Sequence, residues 1–379
     1  MDLLKIIDEL NEKYLKVWED VVNIESPTSF KEGLDRVGVY FINIAQEFGW
    51  QIEVLKCEKA GNAICITMNP EVKNAPVVFS GHIDTVHPVG LFGEPPVKTD
   101  NEKMYGPGVT DCKGGAVASL MAMEALMKIG YDKRPIKLIL QTDEETSSKQ
   151  SNKKTVEFMC EKSKNAIAFF NTEPTDKNTA ILTRKGIVRY LFKITGRAAH
   201  SARCTEVANA ITEAAHKIIE LEKFKDIDGI TCNCGVIGGG TTANTVAEKC
   251  EFIADIRFID TEQFNTAKKV VEEVASTNTV EGCTCVLEEV SYRPAMVFSQ
   301  RNRELLDKMN EIYLKNGMPE LTAISGSGGS DAAYITEAGI PCVDSIGVYG
   351  GYIHSKEEFA YLSSLGESAK RLAIVAYSL

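Results

Sequence analysis

Between residues 30 and about 180, short apolar runs rich in β-branched residues alternate with segments of helical periodicity. The runs are QIEVLKC, NAICITM, PVVFSGH, IKLILQT and AIAFFNT. The helical segments include one from about Gly114 to Lys128 and one from about Lys153 to Lys162. This alternation predicts an α/β fold with a mainly parallel sheet flanked by helices. In such sheets ligands bind outside the carboxyl ends of the strands, so the residues that follow each run are the first candidates for a site.

The section from about Lys185 to Val290 has a different order of elements. Strand GIVRYLFKITG, helix EVANAITEAAHKIIELEKF, strands GITCNCGVIG and CEFIADIRFI, helix TEQFNTAKKVVEEVAS and strand CTCVLEEVS follow one another. This is β-α-β-β-α-β, the split ferredoxin-like order. The α/β pattern then resumes with helix RNRELLDKMNEIYLKNG. We therefore expect one domain over residues 1–184 and 292–379, and an inserted domain over residues 185–291.

Composition excludes several classes of protein. The 379 residues are 44% hydrophobic and 25% charged, which is ordinary for a globular chain. A net charge of -11 argues against a nucleic-acid partner, which requires a basic surface. The opening MDLLKIIDELNEKYLKVWEDVVNIES is interrupted by acidic residues, so it predicts a packed helix and not a signal peptide. No apolar run is long enough to cross a membrane, and we expect a cytoplasmic protein.

The eleven cysteines are scattered through apolar stretches such as AICITM. Scattered cysteines of odd number favour reduced, buried thiols over a disulfide framework. The pairs Cys232 with Cys234 and Cys283 with Cys285 are separated by one residue, and thiolate zinc sites usually have a gap of two. We therefore do not expect a structural zinc site at these cysteines.

Potential metal ligands stand after the apolar runs. They are His82 and Asp84 after PVVFSG, Glu144 and Glu145 after IKLILQTD, Glu173 after AIAFFNT, His354 after CVDSIGVYGGYI, and Asp111 in YGPGVTDCKGG before a glycine-rich helix start. We expect all of them at one edge of the predicted sheet.

Two imidazoles and three carboxylates suit zinc, and their number suits two ions that share one bridging carboxylate. Two adjacent ions polarise a carbonyl and lower the pKa of a bridging water, and amide hydrolysis needs both effects. Glu144 and Glu145 leave their strand in different directions, so one can ligate metal while the other takes a proton. Aspartate and glutamate also cap helices, so spacing alone leaves the metal site open.

Six motifs in a fixed order carry a resemblance to a known family. They are SGHIDTV, YGPGVTDCKGG, TDEE, TEPT, GRAAHSA and GGSDAAYITEAGIPCVDSIG with a later HSKEE. Together they resemble the di-zinc metallopeptidase family of carboxypeptidase G, aminoacylase and peptidase T. The similarity covers nearly the whole chain, and the late segments with YRPAM look closest to the glutamate carboxypeptidases of the carboxypeptidase G type.

The resemblance implies a role for each candidate. His82 and Glu173 correspond to ligands of one zinc, Glu145 and His354 to ligands of the other, Asp111 to the bridge, Glu144 to the general base, and Asp84 to the residue that orients His82. Two Zn²⁺ per chain are expected, with Co²⁺ or Mn²⁺ as substitutes. Cys112 departs from the acidic or other residue that relatives often carry, and the resemblance allows a cis bond before it. His87 has no matching role and is expected to be a turn residue.

The inserted domain is expected to supply further site residues as a lid and dimerisation domain. By resemblance, His200 in AAHSA stabilises the oxyanion, often in the partner subunit, and Asn244 and Arg257 hold the free carboxylate of the substrate. Arg293 in YRPA is a further carboxylate candidate. Gly328 and Gly329 are others, because they precede a helix start that would favour an anion. Each of these residues could equally be an ordinary surface or turn residue.

The resemblance implies a zinc-dependent hydrolase that cleaves the amide bond to a C-terminal amino acid, with glutamate carboxypeptidase-like action first. An N-acyl-amino-acid deacylase and a di- or tripeptidase are alternatives on the same site. The substrate would be a small peptide or N-acyl amino acid with a free carboxylate, and the assembly a homodimer through the inserted domain. An inactive binding protein is the reading from another class, and the intact Glu144 argues against it.

Overall fold

The structure is a computed structural model that describes residues 2–224 and 229–379. The chain divides into two compact units. The first, here the α/β unit, comprises Met1–Thr183, Phe298–Gly326 and Ser330–Leu379. The second, here the insert, comprises Arg184–Val297 and Ser327–Gly329. The short segment Ser327–Gly329, which the sequence-based division assigns to the first domain, thus groups with the insert.

The described residues form nine α-helices. They are α1 Leu3–Asn23, α2 Lys31–Glu47, α3 Gly114–Lys128, α4 Lys154–Lys162, α5 Ala210–Glu222, α6 Thr261–Ser276, α7 Gln300–Lys315, α8 Ala332–Glu337 and α9 Leu362–Ser378. Helices α5 and α6 belong to the insert and the others to the α/β unit.

The same residues form sixteen strands. They are β1 Gln51–Leu55, β2 Ala63–Met68, β3 Val77–His82, β4 Lys98–Thr99, β5 Lys103–Tyr105, β6 Ile136–Gln141, β7 Ala168–Asn171, β8 Thr179–Arg184, β9 Gly186–Thr195, β10 Thr231–Gly239, β11 Lys249–Phe258, β12 Thr284–Arg293, β13 Thr322–Gly326, β14 Cys342–Val343, β15 Gly350–Gly351 and β16 Phe359–Tyr361.

The main sheet of the α/β unit has the strand order β1-β2-β6-β3-β7-β14. Strands β6, β3, β7 and β14 are parallel neighbours, whereas β2 pairs antiparallel with both β1 and β6. Every residue of β2 and β3 is buried, as expected for strands that are covered on both faces. The predicted mainly parallel sheet is therefore confirmed, with an antiparallel addition at one edge.

Helices α1, α3 and α9 pack against one another and share the core of the α/β unit. In α3 every residue from Gly114 to Leu126 is buried, which is the pattern of a helix enclosed on all sides. In α1 the buried residues recur at helical spacing from Leu3 to Val22, so this helix buries one face. The predicted N-terminal helix is confirmed.

The insert has an antiparallel four-stranded sheet in the order β10-β11-β9-β12. Helices α5 and α6 contact this sheet and each other, and the insert has its own hydrophobic cluster. Helix α5 begins at Ala210, later than its periodicity predicts, because the Asn209 side chain caps it by accepting from the N–H groups of Ile211 and Thr212. The predicted β-α-β-β-α-β order is confirmed.

The late apolar run IPCVDSIGV contributes less to the main sheet than its length suggests. Only Cys342–Val343 is a strand there. The chain then enters a separate four-stranded sheet in the order β15-β16-β5-β4.

All eleven cysteines lie among the described residues and are free thiols. No helix within residues 2–224 and 229–379 is long and apolar enough to cross a lipid bilayer.

A buried ion pair fastens the two helices of the insert. The side chains of Glu213 and Lys217 on α5 are 0% and 2% exposed, and their charged atoms lie 3.1 Å apart. Lys217 Nζ also donates to the carbonyl oxygens of Val274, Ala275 and Thr277 at the end of α6.

We expect Lys217→Ala to destabilise the insert by about 3–5 kcal/mol, because the mutation leaves the buried Glu213 carboxylate without its cation and three carbonyls without their donor. Urea unfolding followed by circular dichroism measures the effect. Lys268→Ala is the matched control, since Lys268 lies on α6 in an exposed pair with Glu272. Equal midpoints for the two variants would contradict this account.

Candidate metal centre

Three predicted ligand positions follow neighbouring parallel strands. His82 is the last residue of β3, Glu144 and Glu145 lie in a short 3₁₀ turn after β6, and Glu173 stands two residues after β7. Strand β3 lies between β6 and β7 in the sheet. Their carboxyl ends therefore meet at one edge, as the sequence predicts.

Asp111 lies in the kinked segment Val109–Lys113, directly before α3. Gly108 opens this segment in the left-handed region at φ 71°, and the Asp111–Cys112 peptide bond is cis. A Cβ at Gly115 would lie 2.0 Å from the Thr172 carbonyl oxygen, so only glycine fits where the start of α3 passes the end of β7. This close approach brings Asp111 to the ligand edge of the sheet.

His354 arrives by a route that the sequence pattern does not predict. It lies three residues after β15 of the small sheet, and not at the end of a main-sheet strand. Its backbone has φ 64° and its side chain is 51% exposed. The imidazole nevertheless reaches the other candidate ligands, because its Nε2 lies within 3.2 Å of both Asp111 and Glu145.

The Asp111 carboxylate lies between the two imidazoles. Its Oδ1 is 2.9 Å from His82 Nε2, and its Oδ2 is 3.1 Å from His354 Nε2. His354 Nε2 is also 3.2 Å from Glu145 Oε2, and His82 Nε2 is 3.7 Å from Glu173 Oε1. The residues thus form two groups that share Asp111.

These spacings fit the needs of zinc. Ligand atoms held about 2.0–2.1 Å from a tetrahedral ion lie roughly 3.3 Å from one another. Three of the four measured distances, from 2.9 to 3.2 Å, are slightly shorter than this value, and the fourth, 3.7 Å, is slightly longer. A donor set of imidazole nitrogens and carboxylate oxygens is also the one that zinc accepts. The five residues could therefore hold two ions.

The pKa values of the cluster indicate that its buried carboxylates would be stabilised by added positive charge. Burial raises the pKa of Glu145 to about 7 and holds the pKa of Glu173 well above its usual range, with nearby carboxylates adding to the effect. Burial also opposes ionisation of Asp111, but hydrogen bonds with His354 and His82 hold its pKa below its usual range. The same bonds to Asp111 and Glu145 raise the pKa of His354 to about 11. Cations bound here would stabilise all three carboxylates.

Asp84 contacts several residues of the site in addition to His82, the partner predicted for it. Its backbone carbonyl oxygen lies 3.0 Å and its Oδ1 3.3 Å from His82 Nδ1, the nitrogen that faces away from Asp111. The same carboxylate accepts from the backbone N–H groups of Glu144 and Glu145, both at 3.2 Å, and from Thr28 Oγ1 at 2.7 Å. Asp84 is fully buried. It therefore fixes both the His82 ring and the turn that carries the two glutamates.

Cys112 lies beside the cluster without an evident role in it. Its sulfur, a His82 nitrogen and a Glu173 oxygen lie within 4.8 Å of one another. The thiol donates to the Thr172 carbonyl oxygen at 3.2 Å, and burial raises its pKa well above the usual range. A protonated thiol turned to a carbonyl is the arrangement of a packed core cysteine.

Sequence reasoning missed His87. It was expected to be an ordinary turn residue, but it is 4% exposed and its Nε2 lies 2.8 Å from Glu358 Oε2. Glu358 stands four residues after His354, in the motif HSKEE. The place of Glu358 at the end of the motif HSKEE was the one sequence signal for a role. No spacing rule connects this residue with a histidine that lies 271 residues away.

Within the insert, His200 and Asn244 are neighbours. His200 forms a β-bridge with Thr245, and Ser201 N–H donates to the Asn244 carbonyl oxygen at 2.9 Å. His200 Nδ1 accepts from Ala202 N–H at 3.2 Å, which leaves Nε2 as the outward donor. Arg257 Nε donates to Asp255 Oδ1 at 3.0 Å and Nη1 to the Ser327 carbonyl oxygen at 3.2 Å.

The remaining carboxylate candidates gain little support. Arg293 ends β12 and is 4% exposed. A Cβ at Gly329 would lie 2.9 Å from Arg293 Cδ, and Gly328 accepts from Arg184 through its carbonyl oxygen. The structure adds no support to an anion at the helix start after Gly328 and Gly329, because α8 has only six residues and the acidic Asp331 is its N-cap residue.

An α/β sheet edge that gathers two imidazoles and three buried carboxylates is the arrangement of a metallohydrolase. The chain belongs to peptidase family M20/M25/M40, whose family model matches residues 78–378. It is therefore a hydrolase of this metal-dependent family, and the expected resemblance is confirmed.

One curated relative and two solved structures illustrate the similarity. Carboxypeptidase G2 of Pseudomonas sp. (strain RS-16) is 27% identical over 360 residues, which cover 93% of this chain and 85% of the relative. A tripeptidase of Staphylococcus aureus has a TM-score of 0.77 at 22% identity, with 97% of this chain and 98% of that chain covered. A metallo-carboxypeptidase of the M20 family from Sulfolobus solfataricus also has a TM-score of 0.77, at 18% identity, with 96% and 98% covered. The two structures establish the fold alone.

We expect Asp84→Ala to lower the thermal unfolding temperature of the metal-free protein by several degrees. The mutation leaves the buried N–H groups of Glu144 and Glu145 without an acceptor, at about 1–3 kcal/mol each. Calorimetry after chelation measures the change. Asp100→Ala is the control, because Asp100 also accepts from two backbone N–H groups but lies at the surface, where water can replace it. A drop no larger than that of the control would count against the role of Asp84.

Proposed function

We propose that the chain is a di-zinc exopeptidase that hydrolyses the amide bond to a C-terminal amino acid. The observation that carries this proposal is the Asp111 carboxylate, which turns one oxygen to His82 and the other to His354. Glu173 would complete the first metal site and Glu145 the second. Zn²⁺ is the proposed native ion, and Co²⁺ or Mn²⁺ would substitute for it.

Two ions held there would polarise the scissile carbonyl and lower the pKa of the attacking water. Glu144 is proposed as the general base, which takes the proton of the water and returns it to the leaving nitrogen. Its position supports the role: Glu144 lies in the turn that Asp84 holds, directly before the proposed ligand Glu145 in the chain. Asp84 would keep the His82 ring in place for ligation.

The insert is proposed to recognise the rest of the substrate. Arg257 and Asn244 would hold the free carboxylate, and the exposed His200 would donate to the oxyanion through Nε2. Arg257 donates from Nε and Nη1 within the insert, and its Nη2 is proposed to donate to the carboxylate of the substrate. A small peptide or an N-acyl amino acid fits these groups, and a carboxypeptidase-like preference is proposed because carboxypeptidase G2 is a relative over most of the chain.

A homodimer through the insert is the proposed assembly. Strand β10 is an edge strand, and its Val236 and Ile237 are 62% and 54% exposed. Ile219 on α5 is 56% exposed. An edge strand with exposed apolar side chains is suited to pairing with a second copy of the same chain. Such an assembly would let His200 serve the site of its partner.

A panel of substrates tests the proposed function. We expect the zinc-loaded enzyme to release the C-terminal amino acid from N-acyl and N-aminoacyl amino acids, and to leave their C-terminal amides intact, because the amides lack the carboxylate that Arg257 would bind. Amino-acid release is measured by chromatography. Equal cleavage of acids and amides would contradict the carboxylate requirement. Cleavage confined to N-acyl amino acids would favour the deacylase alternative, and cleavage confined to dipeptides or tripeptides the peptidase alternative.

We expect Glu144→Gln and Glu145→Gln to separate catalysis from metal binding. Glu144→Gln should keep about two zinc ions per chain and lose ~10²–10⁴-fold in kcat, which is the usual contribution of a general base. Glu145→Gln should hold less zinc, because a ligand is changed. Elemental analysis and steady-state kinetics give the two readouts. The opposite pattern would show that the two roles are exchanged.

Mixing two inactive variants tests the dimer. We expect His200→Ala to lose roughly 10²–10³-fold in kcat, as for an oxyanion donor. If His200 acts across the dimer, subunit exchange with Glu144→Gln creates one site with both residues intact, and activity should partly return. Mass spectrometry of differently labelled chains establishes the exchange. Exchange without recovery would mean that His200 acts in its own subunit.

A further inference from the structure

His87 and Glu358 form a buried pair that no step of the proposed mechanism uses. They are 4% and 0% exposed, and His87 Nε2 lies 2.8 Å from Glu358 Oε2. A carboxylate offers only acceptors, so Nε2 is the donor. The Phe92 ring meets the imidazole edge-on, with 5.0 Å between ring centroids. A polar pair held this deeply in the α/β unit requires a structural or functional reason.

The second oxygen of Glu358 contacts the backbone of the bridging ligand. Oε1 accepts from Thr110 N–H at 2.9 Å and from Asp111 N–H at 3.1 Å. The next residue reinforces the link, because the Phe359 carbonyl oxygen accepts from Thr110 Oγ1 at 2.7 Å. One carboxylate therefore holds two consecutive peptide groups of the segment that carries Asp111.

Glu358 also belongs to the loop that carries the other ligand of the proposed second site. His354 precedes it by four residues, and two turns join them: Ser355 N–H donates to the Tyr352 carbonyl oxygen, and Glu358 N–H to that of Ser355. The bonds of Glu358 thus set the distance between the Asp111 backbone and the His354 loop. Displacements of about 1 Å in such a constellation impair its function.

We propose that Glu358, held in place by His87, is a positioning residue for the metal centre that fixes Asp111 relative to His354. The inference rests on the proposed function, because it takes these two residues as ligands of one ion. His87 acts through Glu358, to which its Nε2 donates. Glu358 thus has the same role at the second site as Asp84 has at the first: each is a buried acceptor that sets the position of the ligands.

Zinc affinity, measured by competition with a chromogenic chelator, tests this directly on the full-length protein. We expect Glu358→Ala to weaken zinc binding by about 10–100-fold, as is usual for partners that orient metal ligands. Glu357→Ala is the matched control, because Glu357 is the adjacent residue of the same loop but is exposed, and it should bind zinc as the wild type does. Glu358→Gln retains an acceptor oxygen and should lose less.

The histidine gives a second, milder test. His87→Leu removes the donor and should weaken zinc binding about tenfold, whereas His87→Gln keeps an N–H donor and should restore much of the affinity. His216→Leu is the control, since His216 is exposed on α5 of the insert. Circular dichroism of each metal-free variant verifies that the compared proteins are folded.

Folded Glu358→Ala and His87→Leu proteins that bind zinc like their controls would overturn the inference. So would the failure of every Glu358 and His87 variant to fold, because the pair would then serve the fold and not the positions of the ligands. A wild-type protein that binds no zinc would overturn the proposed function itself, and the inference with it.

Discussion

The two ligand groups of the candidate metal centre depend on one shared carboxylate. Asp111 faces His82 with one oxygen and His354 with the other, and these histidines are far apart in the chain. A carboxylate can serve two partners in this way only if its backbone is fixed, since both oxygens move together. Much of the α/β unit serves that end: Gly115 lets the start of α3 approach β7 closely, and the ends of β3, β6 and β7 meet beside it.

Two buried carboxylates fix the backbone of the site by accepting hydrogen bonds from its N–H groups. Asp84 holds the peptide groups of Glu144 and Glu145, and Glu358 holds those of Thr110 and Asp111. Buried negative charge is costly unless it is paired and hydrogen-bonded. The fully buried Lys113 is a cation whose charge interacts with these carboxylates. Burial lowers its pKa to about 7, although the nearby carboxylates of Glu358, Glu25 and Asp84 oppose that shift.

The insert is stabilised separately, by its own hydrophobic core and its own buried ion pair. Its sheet carries Arg257 and ends in the loops that bring His200 and Asn244 together. The residues proposed to recognise a substrate could vary in this unit without disturbing the proposed metal ligands, because none of the five belongs to it. This separation offers a physical reason why one family can include proteins named for different substrates, as the carboxypeptidase and the tripeptidase among the similar proteins are.

The sequence by itself determined the alternation of strands and helices, the ferredoxin-like order of the insert and the candidates at His82, Glu144, Glu145 and Glu173. These follow from local periodicity and from the rule that parallel strands end at one edge. Tertiary structure alone decided that His354 approaches from a separate small sheet, and that His87 is buried against Glu358. No local pattern encodes those contacts, because the partners are separated by hundreds of residues and meet only when the two loops pack together.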